Sequence, residues 1–282
     1  VGLNLQLNCS QLMAENLSEG QNFLLGTVAA FIEGIILQPT LYWKNAKAQK
    51  LPFTLDPRLL YRGTGASIFN ECQMMGLQFG FTKFYQDLLI NVNHSSSTGA
   101  KLTQNEEFLS ASLSGVTVGL FSCPVELVMI QQQRFGGSFF QTPLKIFSQH
   151  GFFRKGLMRA YSVCAARDAI YVCGMLGITP VLQTYFMEKH DCSLSQASLF
   201  ASLIGGAFAA VPSHPFDVVK TCMQGDLKQE TYKNVSQTAS KLWKERRLMH
   251  GCFWRSVNIV ATVYIANECR NFMSPFFSKI PV

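Results

Sequence analysis

Charged residues are scarce in this chain. Asp, Glu, Lys and Arg make up 15% of its 282 residues, whereas soluble domains usually carry roughly 25%. Hydrophobic residues account for 48%, including 23 Phe, and the mean hydropathy is +0.14. This composition favours helices with one face toward lipid and the other toward protein or a watery cavity.

The motifs of catalytic and metal sites are also missing. The nine cysteines include no C-x-x-C pair, the five histidines are isolated, and there is no phosphate-binding loop, zinc motif or nucleophile elbow. Most of the cysteines fall in apolar stretches, where Cys commonly acts as a small apolar residue. We therefore expect no enzyme activity, no cofactor and no metal site.

Three prolines mark a repeated unit. Pro39, Pro124 and Pro215 lie 85 and 91 residues apart, and each ends an apolar stretch with a small residue at every fourth position. A step of four keeps residues on one helix face, so another helix can approach that face closely. A chance run of Gly and Ala in soluble core helices is the alternative. The small residues are Gly26, Ala30, Gly34, Ala111, Gly115, Gly119, Ser202, Gly206 and Ala210.

The apolar pattern predicts an all-α membrane protein of six transmembrane helices, arranged as three pseudo-threefold repeats of two helices. After an N-terminal tail at 1–19, the repeats cover 20–92, 106–190 and 194–278, and together they form one membrane domain. The predicted spans are 20–48, 63–90, 106–134, 157–188, 194–224 and 252–276.

Basic residues orient the predicted bundle. The segments between the two helices of each unit, 49–62, 134–159 and 225–255, hold 15 Lys and Arg, whereas the tails and the loops between units hold only Lys101, Lys189 and Lys279. The positive-inside rule then puts both termini on the less basic side. The net charge of +7 suits anionic lipid headgroups better than nucleic acid, since the sequence contains no recognition module.

The hexapeptides that begin at the prolines carry a family resemblance. Residues 39–44, 124–129 and 215–220 read PTLYWK, PVELVM and PFDVVK. The chain resembles the mitochondrial carrier family, whose three repeats each bear P-x-[DE]-x-x-[KR] at the ends of the odd-numbered helices. The resemblance covers essentially the whole chain. It implies a multi-pass protein of the inner mitochondrial membrane, with both termini toward the intermembrane space.

The resemblance implies a matrix-side gate of ion pairs between repeats. Proline bends each odd helix toward a common axis. The family rule pairs Glu126 with Lys220 and Asp217 with Lys44. The third pair would be Leu41 with Met129, where both charges have become apolar together. Solvated charges at helix ends are the alternative interpretation. Gln133 and Gln224 occupy the family's bracing position, where the first repeat has Ala48.

The opposite gate lacks its charges. The family closes the outer side with [FY]-[DE]-x-x-[KR] near the ends of the even helices, and no predicted even helix contains that pattern. The corresponding stretches are 81–85, 174–178 and 267–271. We therefore expect no outer ionic lock.

The glycines that open the even helices locate further candidates. Gly63, Gly156 and Gly251 are the lipid-binding positions that the resemblance implies, with cardiolipin as the bound lipid. The positions seven residues beyond these glycines are candidate substrate contacts, and all of them are uncharged. Arg167, a charged residue inside a predicted span, is an additional candidate. Arg167 and Asp168 are adjacent and about 100° apart around a helix, so we expect them to serve different partners. The possible substrate contacts are Asn70, Val163, Cys164, Asn258 and Arg167.

The first repeat has a shortened matrix loop. Only 24 residues separate Pro39 from Gly63, against 32 and 36 in the other repeats. The third repeat has room for an amphipathic surface helix at about 231–246, whereas the first does not. One third of the basic rim should therefore be exposed or covered by another protein.

Two functions fit the sequence. The first is alternating-access transport of a small solute across the inner mitochondrial membrane. The second is a transport-degenerate carrier that serves as a structural subunit of a larger inner-membrane complex, such as a respiratory complex. The absent outer gate, the uncharged contact positions and the short first loop favour the second, and the overall resemblance favours the first. The expected partners are membrane lipids, a small solute and, in the second case, other subunits.

Overall fold

The computed structural model describes residues 19–93, 102–153, 155–190 and 192–277. All regular secondary structure in these residues is helical, so the all-α prediction is confirmed. Residues 1–18 of the predicted tail and residue 278 lie outside the described part. The helices are α1 (Glu19–Ile36), α2 (Gln38–Gln49), α3 (Pro57–Leu60), α4 (Thr64–Asn93), α5 (Gln104–Phe135), α6 (Gln141–His150), α7 (Tyr161–Val172), α8 (Thr179–His190), α9 (Leu194–Gly225), α10 (Val235–Lys244) and α11 (Cys252–Phe277), with a π-helical turn at Cys173–Ile178 between α7 and α8.

Two helical stretches in the described residues, Asn105–Phe135 and Gln196–Gly225, are long and apolar enough to cross a membrane. They belong to α5 and α9. The buried core helix of a soluble protein can meet the same criterion of length and composition. The layout of six membrane spans therefore stays a prediction.

The long helices form a closed ring. Following the chain, α1 packs against α4, α4 against α5, α5 against α7, and the α7–α8 unit against α9. The ring closes because α11 packs against α9 on one side and against α1 and α2 on the other. Each long helix is thus in contact with helices that precede and follow it around the ring.

Small residues allow the closest helix approaches. Gly115 of α5 faces α7, and a Cβ atom placed on it would lie 2.5 Å from the carbonyl oxygen of Asp168 and 2.6 Å from Cα of Ala169. One turn further, a Cβ on Gly119 would lie 3.2 Å from Cα of Ala165. The stripe of small residues on α5 is therefore the surface on which α7 packs.

Replacing Gly115 with Ala should destabilise the protein by about 1–3 kcal/mol, because the added methyl group meets backbone atoms that cannot rotate away. Thermal unfolding in detergent measures the effect. Gly80→Ala is the matched control, since a Cβ at Gly80 of α4 meets nothing within 4 Å. Equal melting temperatures for the two variants would contradict the close packing of α5 on α7.

The three prolines occupy different helical environments. Pro39 lies in the first turn of α2, immediately after the break between α1 and α2 at Leu37. Pro124 and Pro215 lie inside the continuous helices α5 and α9. In the first unit, the chain therefore divides into two helices at the proline.

The three connections within the units also differ. Ten-residue helices, α6 and α10, occupy the second and third connections, whereas the first contains only the four-residue α3. An aromatic contact holds this short connection in place. The Trp43 ring stacks on Phe53 with centroids 5.3 Å apart, and its indole N–H donates to the carbonyl oxygen of Thr54 at 2.9 Å.

Candidate functional site

A buried charged network lies in the helical turns that follow the three prolines. Lys44 comes from α2, Glu126 from α5, and Asp217 and Lys220 from α9. The side chains of Asp217 and Lys220 are each 2% exposed. These charges are buried because they lie on the faces of α5 and α9 that pack against neighbouring helices of the ring.

Two ion pairs join the helices across this region. Nζ of Lys44 lies 2.9 Å from Oδ2 of Asp217, which links α2 to α9. Nζ of Lys220 lies 3.0 Å from Oε2 of Glu126, which links α9 to α5. The structure thus brings together the residues of both charged pairs that the family resemblance implied. Lys220 also contacts Asp217, one turn earlier on its own helix, at 3.1 Å.

Arg167 of α7 lies in the middle of the network. Its Nη1 atom contacts Oε1 of Glu126 and lies 3.4 Å from Oδ1 of Asp217. Its Nε atom donates to Oδ1 of Asp168 at 2.8 Å. The expectation that Arg167 and Asp168 serve different partners is therefore wrong. The long arginine side chain folds back along the helix, so the angle between the two Cα–Cβ directions does not keep the end groups apart.

Arg255 of α11 is a member of the network that sequence reasoning missed. Its Nη1 atom lies 3.1 Å from Oδ2 of Asp217, and its Nη2 atom donates to Oγ of Ser213 at 2.7 Å. The available signal was its position four residues after Gly251, one turn into the helix. It was counted only among the basic residues of the connection 225–255, although it also lies in the predicted span 252–276.

The network contains four cations and three carboxylates. Asp217 contacts all four cations, Lys44, Arg167, Lys220 and Arg255. Asp168 completes the set and also accepts a hydrogen bond from Ser122 at 3.1 Å. Removal of one partner from such a buried cluster leaves an uncompensated charge, which is strongly destabilising. The network therefore holds α2, α5, α7, α9 and α11 together in this arrangement.

The apolar replacement pair lies beside the charges. Met129 is buried in a cluster with Leu127, Val128 and Ile130, and Leu41 packs against this cluster. The junction between α2 and α5 is thus hydrophobic at the level where the other two junctions carry ion pairs. No charged group is left without a partner by the loss of the third pair.

The glutamines in the bracing positions bond elsewhere than to the ion pairs. Oε1 of Gln133 accepts a hydrogen bond from Nδ2 of Asn45 at 2.7 Å, and this contact is buried. Nε2 of Gln224 donates to the carbonyl oxygens of Cys123 and Arg159, at 3.3 and 3.4 Å. Asn45 had no part in the sequence analysis, since it falls between two positions of the proline motif.

Comparison with known proteins identifies sequences that this chain resembles. Residues 194–277 match the family described as mitochondrial carrier protein. The chain is 30% identical over 167 residues to a glutamate/glycine mitochondrial carrier of Schizosaccharomyces pombe, and the match covers 54% of this chain and 55% of that protein. The chain is therefore similar to mitochondrial carriers, at low identity and over part of its length. Proteins of this family are transporters rather than enzymes and sit in the inner mitochondrial membrane.

Other relatives are more distant. It is 26% identical over 191 residues to a mitochondrial glycine transporter of Mycosarcoma maydis, covering 58% of the chain and 47% of the relative. It is 25% identical over 207 residues to a succinate/fumarate mitochondrial transporter of Saccharomyces cerevisiae, covering 66% and 62%. The chain spans about half the length of the first curated relatives it matches.

The possible substrate contacts that the sequence predicts lie in different surroundings. Asn70 is buried, and its Oδ1 atom accepts a long hydrogen bond from Gln73 at 3.5 Å. Val163 packs in an apolar cluster between α7, α9 and α10, and Cys164 is fully buried near Gln224. Nδ2 of Asn258 donates to Oγ1 of Thr40 at 3.0 Å, which connects α11 to α2. Arg167 lies in the charged network described above.

Two of the predicted lipid-binding glycines lie against carbonyl oxygens of the neighbouring repeat. Gly63 and Gly251 have φ values of +82° and +91°, which disfavour other residues. Their Cβ positions would lie 3.0 Å from the carbonyl oxygen of Met129 and 2.9 Å from that of Lys44. A Cβ on Gly156 would collide with the carbonyl oxygen of Gly151. All three positions therefore require glycine for packing or conformation.

The stretches 81–85, 174–178 and 267–271, which lack the outer motif, are only partly described. Gly174 to Ile178 lie in the π-helical turn, and Gly174 packs on Ala209 of α9. Phe81 of α4 stacks on Phe121 of α5 with centroids 6.1 Å apart. The side chains at 267, 268, 270 and 271 lie outside the described residues.

Asp226 fixes the start of the connection between α9 and α11 and should make the stability of this connection depend on pH. Burial raises the pKa of this carboxyl, but backbone N–H donors from Tyr232, Thr231 and Glu230 outweigh burial and lower the pKa overall. The contribution of Asp226 is therefore complete above its unfolded pKa of about 3.9 and is lost as pH falls through the lower folded pKa.

We expect the difference in melting temperature between the parent and Asp226→Asn to be constant near pH 6 and to shrink below about pH 4. Melting curves recorded across this pH range in one detergent measure it. A difference that stays constant down to pH 2 would contradict a lowered pKa at this site.

Proposed function

We propose that this chain carries a small carboxylate-bearing solute across the inner mitochondrial membrane by alternating access. The observation that carries this proposal is the buried network that joins α2, α5 and α9 in the turns after the prolines. In this arrangement the network closes the matrix side. Opening that side requires the contacts of Asp217 with Lys44 and of Glu126 with Lys220 to separate.

The same proposal includes the membrane layout. Six spans in three repeats would place the connections containing α3, α6 and α10 in the matrix and both termini toward the intermembrane space. The excess of Lys and Arg in these connections supports this orientation. Cardiolipin is the proposed lipid, bound at Gly63, Gly156 and Gly251 where the even-numbered helices begin.

A carboxylate-bearing solute fits both the relatives and the network. The relatives are named for glutamate, glycine, succinate and fumarate, all of which carry a carboxylate. Arg167 is the proposed anchor, because a guanidinium group binds a carboxylate through two parallel hydrogen bonds. A solute carboxylate at Arg167 would replace contacts that this side chain makes with Glu126 and Asp217, and would thereby weaken the closed matrix side. Asn70 and Asn258 are the proposed neutral polar contacts.

Uptake by proteoliposomes tests the proposal. Purified protein is reconstituted in vesicles containing cardiolipin and offered radiolabelled glycine, glutamate, succinate, fumarate and a 2-oxodicarboxylate, with and without the same solute inside. Saturable uptake of at least one solute, absent from vesicles without protein, is the expected result. Uniformly blank uptake by protein that melts cooperatively would overturn the proposal.

The structural-subunit alternative receives no support from the relatives, which are named as carriers or transporters. Native gel electrophoresis distinguishes the structural-subunit alternative from the proposed transporter. A subunit would migrate with a large complex on a native gel after mild extraction from mitochondria and would give no uptake. The proposed transporter gives uptake as the purified chain alone.

A further inference from the structure

We propose that Asn45 and Gln133 form a neutral third link of the matrix-side gate, which takes the place of the ion pair lost at Leu41 and Met129. This inference rests on the proposed function, since it concerns the same gate. The contact is a buried hydrogen bond of 2.7 Å from Nδ2 of Asn45 on α2 to Oε1 of Gln133 on α5. It joins the one pair of odd helices between which no ion pair is found in the described network.

The register of the two helices supports the substitution. Asn45 lies four residues after Leu41, and Gln133 lies four residues after Met129. Residues four apart lie above one another on one face of a helix. The amide pair is therefore stacked one turn beyond the apolar pair on both helices at once. A polar link displaced by one turn preserves the α2–α5 junction after both charges have been replaced.

The two ionic junctions have polar contacts of a different kind near the corresponding level. Between α5 and α9, Nε2 of Gln131 donates to the backbone carbonyl of Gln224 at 2.6 Å. Between α9 and α2, the thiol of Cys222 donates to the carbonyl oxygen of Ala48 at 3.2 Å. Both contacts end on a backbone atom. The α2–α5 contact alone among these three depends on side chains at both ends, so its two residues are specific to each other.

The burial of both residues gives the link its strength. Asn45 is 1% exposed and Gln133 is 2% exposed. A buried amide group that loses its partner keeps the cost of its desolvation. Because neither residue is charged, this junction resists opening without a dependence on pH or on screening by salt. The gate thus combines two ionic junctions with one neutral junction.

A double-mutant cycle tests the link. Asn45→Ala and Gln133→Ala are each expected to lower the melting temperature by roughly 2–6 °C. The double variant should melt close to the worse single variant, because the same contact is lost in all three. Additive losses would show that the two residues act independently and would overturn the proposal.

Restoring the ion pair at positions 41 and 129 tests whether the Asn45–Gln133 bond is a link of the gate or an ordinary structural hydrogen bond. Leu41→Glu with Met129→Lys rebuilds the missing charges, whereas each single change strands one charge and should be destabilising. We expect the restored pair to raise the melting temperature more in the Asn45→Ala/Gln133→Ala background than in the parent. Gln131→Leu is the matched control, since it removes a buried glutamine contact at a junction that still has its ion pair. An equal rise in all three backgrounds would overturn the proposal.

These measurements do not require transport, so their failure is distinct from failure of the proposed function. Uptake of whichever solute the reconstituted parent carries adds one further readout. The Asn45→Ala/Gln133→Ala protein should show a changed uptake rate that the restored ion pair brings back toward the parental rate. Loss of uptake without recovery, together with an intact melting cycle, would assign the bond to folding alone and contradict its role in the gate.

Discussion

Replacement of Asp217 with Asn lowers the free energy of unfolding by about 3–5 kcal/mol, because it removes the one carboxylate that all four cations of the network share. Lys44, Lys220, Arg167 and Arg255 lie 2.9–3.4 Å from its oxygens in the intact protein. The amide keeps the volume of the side chain but not its charge. We expect the melting temperature in detergent to fall by about 6–20 °C.

Asp87→Asn provides the control for this result. Asp87 is an exposed residue of α4, and exposed substitutions usually change stability by no more than about 0.5 kcal/mol. The two variants make the same chemical change in different surroundings. If Asp217→Asn melts within 1–2 °C of Asp87→Asn, an interval of about 0.5 kcal/mol, then Asp217 does not hold the network together.

Arg167→Gln should also lower the free energy of unfolding by about 3–5 kcal/mol, because it removes a buried cation rather than a carboxylate. It leaves Asp168 and Glu126 without a cation that each contacts directly. Under the proposed function it should also abolish saturable uptake, since the anchor of the solute carboxylate is lost. Arg167→Lys retains the charge but not the planar set of donors, so its stability should lie between those of the parent and Arg167→Gln.

Thermal unfolding and uptake should be measured on the same preparations of the Arg167 variants. Arg58→Gln is the control, because Arg58 is exposed in the short helix α3. A stable Arg167→Gln protein with parental uptake would exclude both the structural and the solute-binding role. A stable Arg167→Gln protein without uptake would exclude the structural role and leave only the solute-binding role.

The helices of this fold were predictable because their signals are local. The apolar pattern predicted six stretches, and each agrees with the helices of the structure within a few residues, such as 194–224 against Leu194–Gly225. The break at Leu37 was not predicted. The helical pattern of the sequence continues through this residue. The break between α1 and α2 arises from the backbone geometry of Leu37 alone.

The site was predictable only where charge and spacing repeat. Glu126, Asp217 and Lys220 occupy fixed positions after a proline, so a family rule could pair them. Arg255 and Asn45 fall outside the motif that begins at each proline, and their roles depend on how α11 and α2 are rotated in the ring. The partner of Arg167 was misjudged because a flexible side chain of that length can reach groups well outside the direction of its Cβ atom.

The closure of the ring through Arg247 fixes an order of events during synthesis. Its Nη2 atom donates to the carbonyl oxygen of Ala48 at 2.7 Å, across a separation of 199 residues along the chain. The carbonyl oxygen of Ala48 therefore lacks this donor until residue 247 has been synthesised. The ion pair of Lys44 with Asp217 likewise cannot form until residue 217 has been synthesised. The contacts that close the ring therefore become available only when the third unit, with α9 and α11, has been synthesised.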